Sequence, residues 1–372
     1  MDRPENTPDL DALRLALVPG VGPLVGKALL DHFGSATGVL DASRSRLLAV
    51  DGVGAKLAAL LAAARDSRDA EREAALCQAQ GVTIIARGEP AYPAPLERIP
   101  DPPGLIYVKG ELTPRDELAI SVVGSRRSSP YGLRVAERLG GSLARTGFTV
   151  VSGLARGIDA AAHRGALAAG GRTIAVLANG LDSVYPPEHA DLAQEIARSG
   201  ALLSESPMTR KPLAAFFTQR NRIISGLALG VLVIEATPRS GSLSTARHAV
   251  EQNREVFAVP GPIDSITSRG CHRLLKDGAL LVETVEDVLE GLGPLVAEIK
   301  AAPDSPPIRR PAELALSDIE RDVLLRLSDT AVGVDEIITL TGLTAGQALA
   351  TLSILELKRL IERRPGGRYV RA

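Results

Sequence analysis

The spacing of apolar residues changes character along the chain. From Leu13 to Leu30 (LRLALVPGVGPLVGKALL) and again from Leu47 to Leu61 (LLAVDGVGAKLAALL), helical apolar runs flank tight turns at Gly20-Val21-Gly22 and Gly52-Val53-Gly54. Glycine there permits positive φ and close backbone approach. Arg65 to Gln80 reads as a polar helix and Gly81 to Ile85 as a short strand. Six prolines between Pro90 and Pro103 predict that this passage holds no regular element. Leu105 to Lys109 reads as a strand.

From Ala119 a different rhythm begins. Apolar runs at 119–123, 148–151, 173–177, 201–204, 231–235 and 256–259 lack polar alternation, as strands buried on both faces do. Helical stretches separate them: one opens at Ser128-Ser129-Pro130, another at Pro186-Pro187, and a third runs from Phe217 to Gly226. Hydroxyl caps and first-turn prolines are helix-start signals. This alternation predicts an α/β fold, an extended Rossmann-like doubly wound parallel sheet with ligands at the carboxyl ends of its strands.

The last sixty or so residues form a separate small unit. Ser317 to Leu327 is an amphipathic helix with a Ser-x-x-Glu capping box at Ser317/Glu320. Val334 to Thr341 and Thr344 to Arg359 read as two more helices, and Leu360 to Arg371 as a hairpin. Three helices and a hairpin resemble a winged helix, with Arg363, Arg364, Arg368 and Arg371 on the wing. The helix in the recognition position is bare of basic residues until Lys358 and Arg359, which favours partner contact or weak DNA contact over sequence-specific reading. The predicted organisation is 1–75 a tandem helix-hairpin-helix (SAM-like) domain, 76–292 the Rossmann-like domain, 293–311 a Pro-rich linker and 312–372 the winged helix. The hairpins resemble motifs in which turn amides and an early lysine grip a DNA phosphate. Lys27 and Lys56 are the corresponding candidates for duplex contact, and packing is the alternative.

Charge changes the picture by what it excludes. With 43 Lys+Arg against 44 Asp+Glu there is no global basic field, so a polyanion site has to be a local cluster. Cys77 and Cys271 lie far apart without CxxC or Cys/His spacing, which argues against a zinc site and a disulfide scaffold. No metal and no cofactor is expected. The polar N-terminus and interrupted apolar runs predict a cytoplasmic protein with no membrane partner.

Candidate chemistry gathers at the predicted strand ends. Gly124-Ser125-Arg126-Arg127 joins a strand to a helix start, where amides, dipole and guanidinium forks suit an anion. Ser152-Gly153 with Arg156 forms a second turn, Arg220-Asn221-Arg222 beside Phe217 a third group, and Arg239-Ser240-Gly241-Ser242 a fourth. Four such turns suit a run of phosphates better than one small metabolite. Phe216-Phe217 offers a stacking platform or, alternatively, a buried core pair. Asp159 and His163 stand four apart, as an acid–base pair or as a turn anchor and a packing residue. Glu235, at a strand end, could hold Arg220 or Arg222 or act on a ribose. No catalytic triad assembles.

Taken together, VVGSRRSSPYG, SGLARGIDAAAH, GLDSVYP, FFTQRNRIISGLA, EATPRSGSLSTARHA and AVPG, in this order and spacing, resemble the DprA/Smf family (DNA processing protein A). The resemblance covers about Pro90 to Leu289. It implies a non-enzymatic homodimer that binds incoming single-stranded DNA in natural transformation, protects it and loads the RecA recombinase onto it, with single-strand-binding protein as a further partner. It places Gly124, Ser125 and Arg126 in the backbone-gripping turn, Phe217, Arg220 and Asn221 in an F-x-x-R-N-R stretch, and His272 and Leu281 on the dimer surface. One departure is Thr237, where members often carry a basic residue; Arg239 stands two positions on. The rival is a nucleotide phosphoribohydrolase of the lysine-decarboxylase-like type. Against it, the loop here reads PRSGSLST, without a PGGxGT turn or a downstream Glu.

Overall fold

A computed structural model describes residues 9–293, 316–327, 332–358, 360–364 and 367–371. The N-terminal residues 1–8, the expected linker beyond Gly293, Arg359 and the hairpin tip Pro365-Gly366 lie outside the described residues.

The N-terminal unit comprises α1 (Leu10–Leu17), α2 (Pro23–Phe33), α3 (Ala36–Leu40), α4 (Arg44–Leu47), α5 (Ala55–Ala64) and α6 (Asp69–Ala79). The Asp9 carboxylate caps α1 by accepting from the Asp11 and Ala12 amides, and Pro23 opens α2. Leu29, Val39, Leu47, Ala58 and Leu61 form its core. Leu13, on the opposite face of α1, packs instead with Tyr107 and Leu202 of the sheet, so this unit is anchored to the next.

The Rossmann-like unit runs β1 (Val82–Ala86), α7 (Ala94–Glu97), β2 (Leu105–Gly110), β3 (Ala119–Val123), α8 (Pro130–Arg145), β4 (Thr149–Ser152), α9 (Ile158–Ala168), β5 (Thr173–Leu177), α10 (Ala190–Ser199), β6 (Ala201–Ser204), α11 (Ala214–Gly226), β7 (Gly230–Val233), α12 (Ser242–Glu251), β8 (Glu255–Ala258), α13 (Arg269–Lys276), β9 (Leu280–Leu281) and α14 (Val285–Leu292). The nine strands lie in the order β1-β2-β6-β5-β4-β3-β7-β8-β9. From β6 to β9 every pairing is parallel, whereas β1–β2 and β2–β6 are antiparallel. Separate apolar clusters line the two faces, one with α11 and α12, the other with α8, α9 and α14. The proline-rich passage does contain one turn of helix, α7, with Pro95 in its first turn, where a missing N–H costs nothing.

The chain order reverses between β3 and β7, whose ends align with Val123 opposite Val233. Loops leaving neighbouring parallel strands diverge at such a point and open a crevice.

The C-terminal unit holds α15 (Asp318–Arg326), β10 (Val332–Gly333), α16 (Val334–Thr341), α17 (Ala345–Leu357), β11 (Ile361–Arg364) and β12 (Arg368–Arg371). The Ser317/Glu320 capping box forms, with the Ser317 amide 2.6 Å from the Glu320 carboxylate. The strands pair in the order β10-β12-β11, giving a winged helix.

Candidate functional site

The crevice between β3 and β7 opens into a cavity of about 720 Å³. Gly124 to Arg127 forms one wall, Phe217, Thr218 and Asn221 of α11 a second, and Ser240 to Ser242 a third. The Ser125 hydroxyl accepts from the Arg127 amide at 3.1 Å, which holds the turn and leaves both arginines exposed. The Arg126 guanidinium lies over the Phe217 ring, 4.7 Å from its centroid. Tyr185 meets the same ring edge-on at 5.7 Å. Phe217 is therefore a half-exposed platform rather than a core residue.

Behind this surface stands a buried polar layer. Asp159 accepts from the Gly153 and Ala155 amides at 3.2 and 3.3 Å and so anchors the turn after β4. Burial pushes its carboxyl above the usual range, against the pull of the Arg220 guanidinium. Arg220 is itself 4% exposed and donates to the carbonyls of Gly153 and Val176. Burial lowers its pKa to about 10, which leaves it charged at neutral pH. A Cβ at Gly153 would strike this guanidinium, and Gly157, at φ +79°, sits where a side chain would strike the Ser125 carbonyl. Asn221 donates to the Gly241 carbonyl at 3.2 Å and fixes the Ser240–Ser242 turn, where the Ser240 and Ser242 hydroxyls pair at 2.8 Å.

Several expected residues have other duties. Arg222 is 2% exposed and forms ion pairs with Asp101 at 2.8 Å and Glu205 at 2.7 Å, away from the cavity. The Ser152 hydroxyl is fully buried and donates to the Val122 carbonyl at 2.6 Å. Arg156 is drawn to Glu188 and does not line the cavity. Arg239 is exposed outside it, whereas Thr237 contributes to the wall. Glu235 holds neither Arg220 nor Arg222. Its carboxylate, 3% exposed, accepts from the Ser129 amide at 2.8 Å, the Ser129 hydroxyl at 2.6 Å and the Thr267 hydroxyl at 3.1 Å. It thereby ties the start of α8 to the segment before α13. His163 bonds Thr173 at 2.7 Å and makes no pair with Asp159.

Tyr185, in the loop after β5, is a cavity residue that sequence reasoning missed; its rarity in a chain with 3% aromatics was the available signal. His272 donates to the Gly261 carbonyl at 2.9 Å, and Leu280 and Leu281 stand exposed on edge strand β9. Lys27 pairs with Asp31 at 2.6 Å, and Lys56 is exposed on α5. On the wing, Arg364 pairs with Glu362 at 2.8 Å.

Comparison with known proteins gives three matches to family models. DNA recombination-mediator protein A matches residues 83–293, the DprA winged helix domain residues 306–367, and the SAM-like helix-hairpin-helix tandem residues 12–66. The chain is 35% identical to Protein Smf of Synechocystis over 95% of its own length and 96% of that protein. It is 46% identical to DNA processing protein DprA of Streptococcus pneumoniae, over 53% of its own length and 70% of that protein. Among solved structures, DNA processing protein A from S. pneumoniae superposes with a TM-score of 0.65 at 35% identity, covering 75% of this chain and 95% of that one. The Helicobacter pylori protein, described for its unique single-stranded DNA binding mode, superposes with a TM-score of 0.51 at 30% identity, covering 57% and 95%.

Proposed function

Because the chain belongs to the DprA/Smf family of DNA recombination-mediator proteins, we propose that it binds single-stranded DNA in the cavity at the β3/β7 crevice and loads RecA onto it. The observation that carries this reading is the Arg126 guanidinium over the half-exposed Phe217 ring, beside two turns rich in amides and hydroxyls. Phe217 stacks a base and Arg126 holds a neighbouring phosphate, with Arg127, Gly124, Ser125 and the Ser240–Ser242 turn completing the grip. Stacking tolerates any base, which suits incoming DNA of arbitrary sequence. In this reading Arg220, Gly153 and Asn221 shape the cavity from behind.

A homodimer through the β9 edge, where Leu281 is exposed, with His272 of α13 as a further candidate contact, brings two cavities onto one strand, and avidity turns modest sites into tight binding. RecA takes the strand at a separate surface near that edge, single-strand-binding protein is displaced, and the setting is natural transformation. Among the described residues no single helix is long and apolar enough to cross a membrane, which fits a cytoplasmic site of action. Lys27 and Lys56 are candidates for a secondary duplex contact.

The engagement of Glu235 with Ser129 and Thr267 supports binding without catalysis, since a phosphoribohydrolase would need that acid free to meet a ribose. RecA-filament assembly on a strand coated with single-strand-binding protein, with and without this protein, tests the loading step. Faster assembly supports it, and an unchanged rate contradicts it.

A further inference from the structure

A second cavity, of about 560 Å³, adjoins the first at the same end of the sheet. The turn of the first N-terminal hairpin, Pro19 to Pro23, forms one wall, and Phe216 of α11 with Arg210 from the loop after β6 forms another. The volume is in the range of a small-molecule site. Neither the first hairpin nor Phe216 has a part in the cavity at β3/β7.

Phe216 and Phe217 are neighbours near the start of α11, so their side chains leave the helix about 100° apart. Each lines a different cavity, and each carries a guanidinium: Arg126 at 4.7 Å from the Phe217 centroid, Arg210 at 5.3 Å from the Phe216 centroid. Arg220, one turn further along, lines both cavities. It is 4% exposed and its Nε has no hydrogen-bond partner. Glu205, the acid on this wall, is held by Arg222 at 2.7 Å and so presents little repulsion to a phosphate.

We propose that the second cavity is a further stacking subsite for the same single strand, in which a base lies on Phe216 and Arg210 holds an adjoining phosphate, with the first hairpin's turn as its outer wall. This rests on the reading of the β3/β7 cavity as the single-strand site. The strand passes over the start of α11, from Phe217 to Phe216. The turn of the first hairpin, Pro19 to Pro23, then serves single-stranded DNA as a wall.

The test is ultraviolet crosslinking of the full chain to oligo-dT bearing one 4-thiothymine, moved one position at a time, with tryptic mapping. Fragment-ion mapping assigns each crosslink to a residue: a base in the first cavity crosslinks at Tyr185, and a base in the second crosslinks within peptide 15–27, which contains the hairpin turn, or at Leu177 and Ala178, which line that cavity. Crosslinks of both kinds, from different positions of one oligonucleotide, are expected. Crosslinks at Tyr185 alone overturn the second subsite and leave the first intact; crosslinks at none of these positions overturn both. As a second measurement, Phe216→Ala and Arg210→Ala should each weaken binding of a long oligo-dT about tenfold while leaving binding of one of about 4 nucleotides unchanged. Equal losses on both lengths, or none, contradict the proposal.

Discussion

Arg126, in the turn after β3, and Phe217, on α11 ninety-one positions later, meet at 4.7 Å, guanidinium over ring, at the crevice where the strand order reverses between β3 and β7. The arginine covers one face of the ring, so on the proposed reading a stacking base would exchange this cation–π contact for its own and free the guanidinium for a phosphate. Replacing Phe217 by Ala should weaken oligo-dT binding by about 1–3 kcal/mol, and Phe217→Tyr should retain most of the affinity. Fluorescence anisotropy on both variants, with thermal unfolding as a control for fold, checks this.

Arg222 belongs to the same RNR stretch but has a structural role. Removing a buried partner from its pairs with Asp101 and Glu205 leaves two carboxylates uncompensated. Arg222→Ala should lose about 3–5 kcal/mol of stability in urea unfolding. Intrinsic affinity of the fraction still folded should change little.

Glu235 and Ser129 make a tie across the crevice. Glu235→Ala removes the acceptor for the Ser129 amide and hydroxyl and the Thr267 hydroxyl, and should cost about 1–3 kcal/mol in stability. It should also lower oligonucleotide affinity, because the Arg126 turn immediately precedes α8. Wild-type affinity in a stable variant would show that the tie does not position that turn.

His163 supplies a pH prediction. It is fully buried, and burial together with nearby His189, Arg220 and Arg164 pushes its pKa down to about 3. Thr173 donates to the Val150 carbonyl at 2.6 Å, so the proton between His163 and Thr173 comes from Nδ1 of a neutral ring. Below about pH 6.5 the unfolded chain takes a proton at this histidine and the folded chain does not, so stability falls as pH drops, by up to about 1.4 kcal/mol per unit. Asp159, with its raised pKa, contributes in the opposite sense in any variant that keeps it. His163→Asn keeps a partner for Thr173 and cannot titrate. Urea midpoints at pH 7.5, 6 and 5 should therefore fall more steeply for the wild type than for this variant.

The sheet and its crevice were legible because buried strands alternate with helices and the Gly/Ser-rich turns at 124–127, 152–157 and 240–242 each follow a strand. Side-chain duties were harder to read. Arg220 and Arg222 are two apart on a helix and so point in nearly opposite directions, one beneath the cavity and one toward Asp101. Spacing alone could have separated them, but not said which was which. Arg156 is claimed by Glu188, thirty-two positions away, and Glu235 by Ser129 and Thr267, contacts that no local pattern carries. Phe216 and Phe217 read as a pair, yet helix geometry sends them into different cavities.

The central claim is most directly tested by anisotropy of labelled oligo-dT against the wild type and Arg126→Ala over a salt series, with a duplex control. The account predicts salt-sensitive single-strand binding that exceeds duplex binding, weakens in the variant, and loses about 0.7 from the log–log salt slope for the phosphate contact removed. Unchanged affinity and slope in a folded Arg126→Ala protein would contradict it.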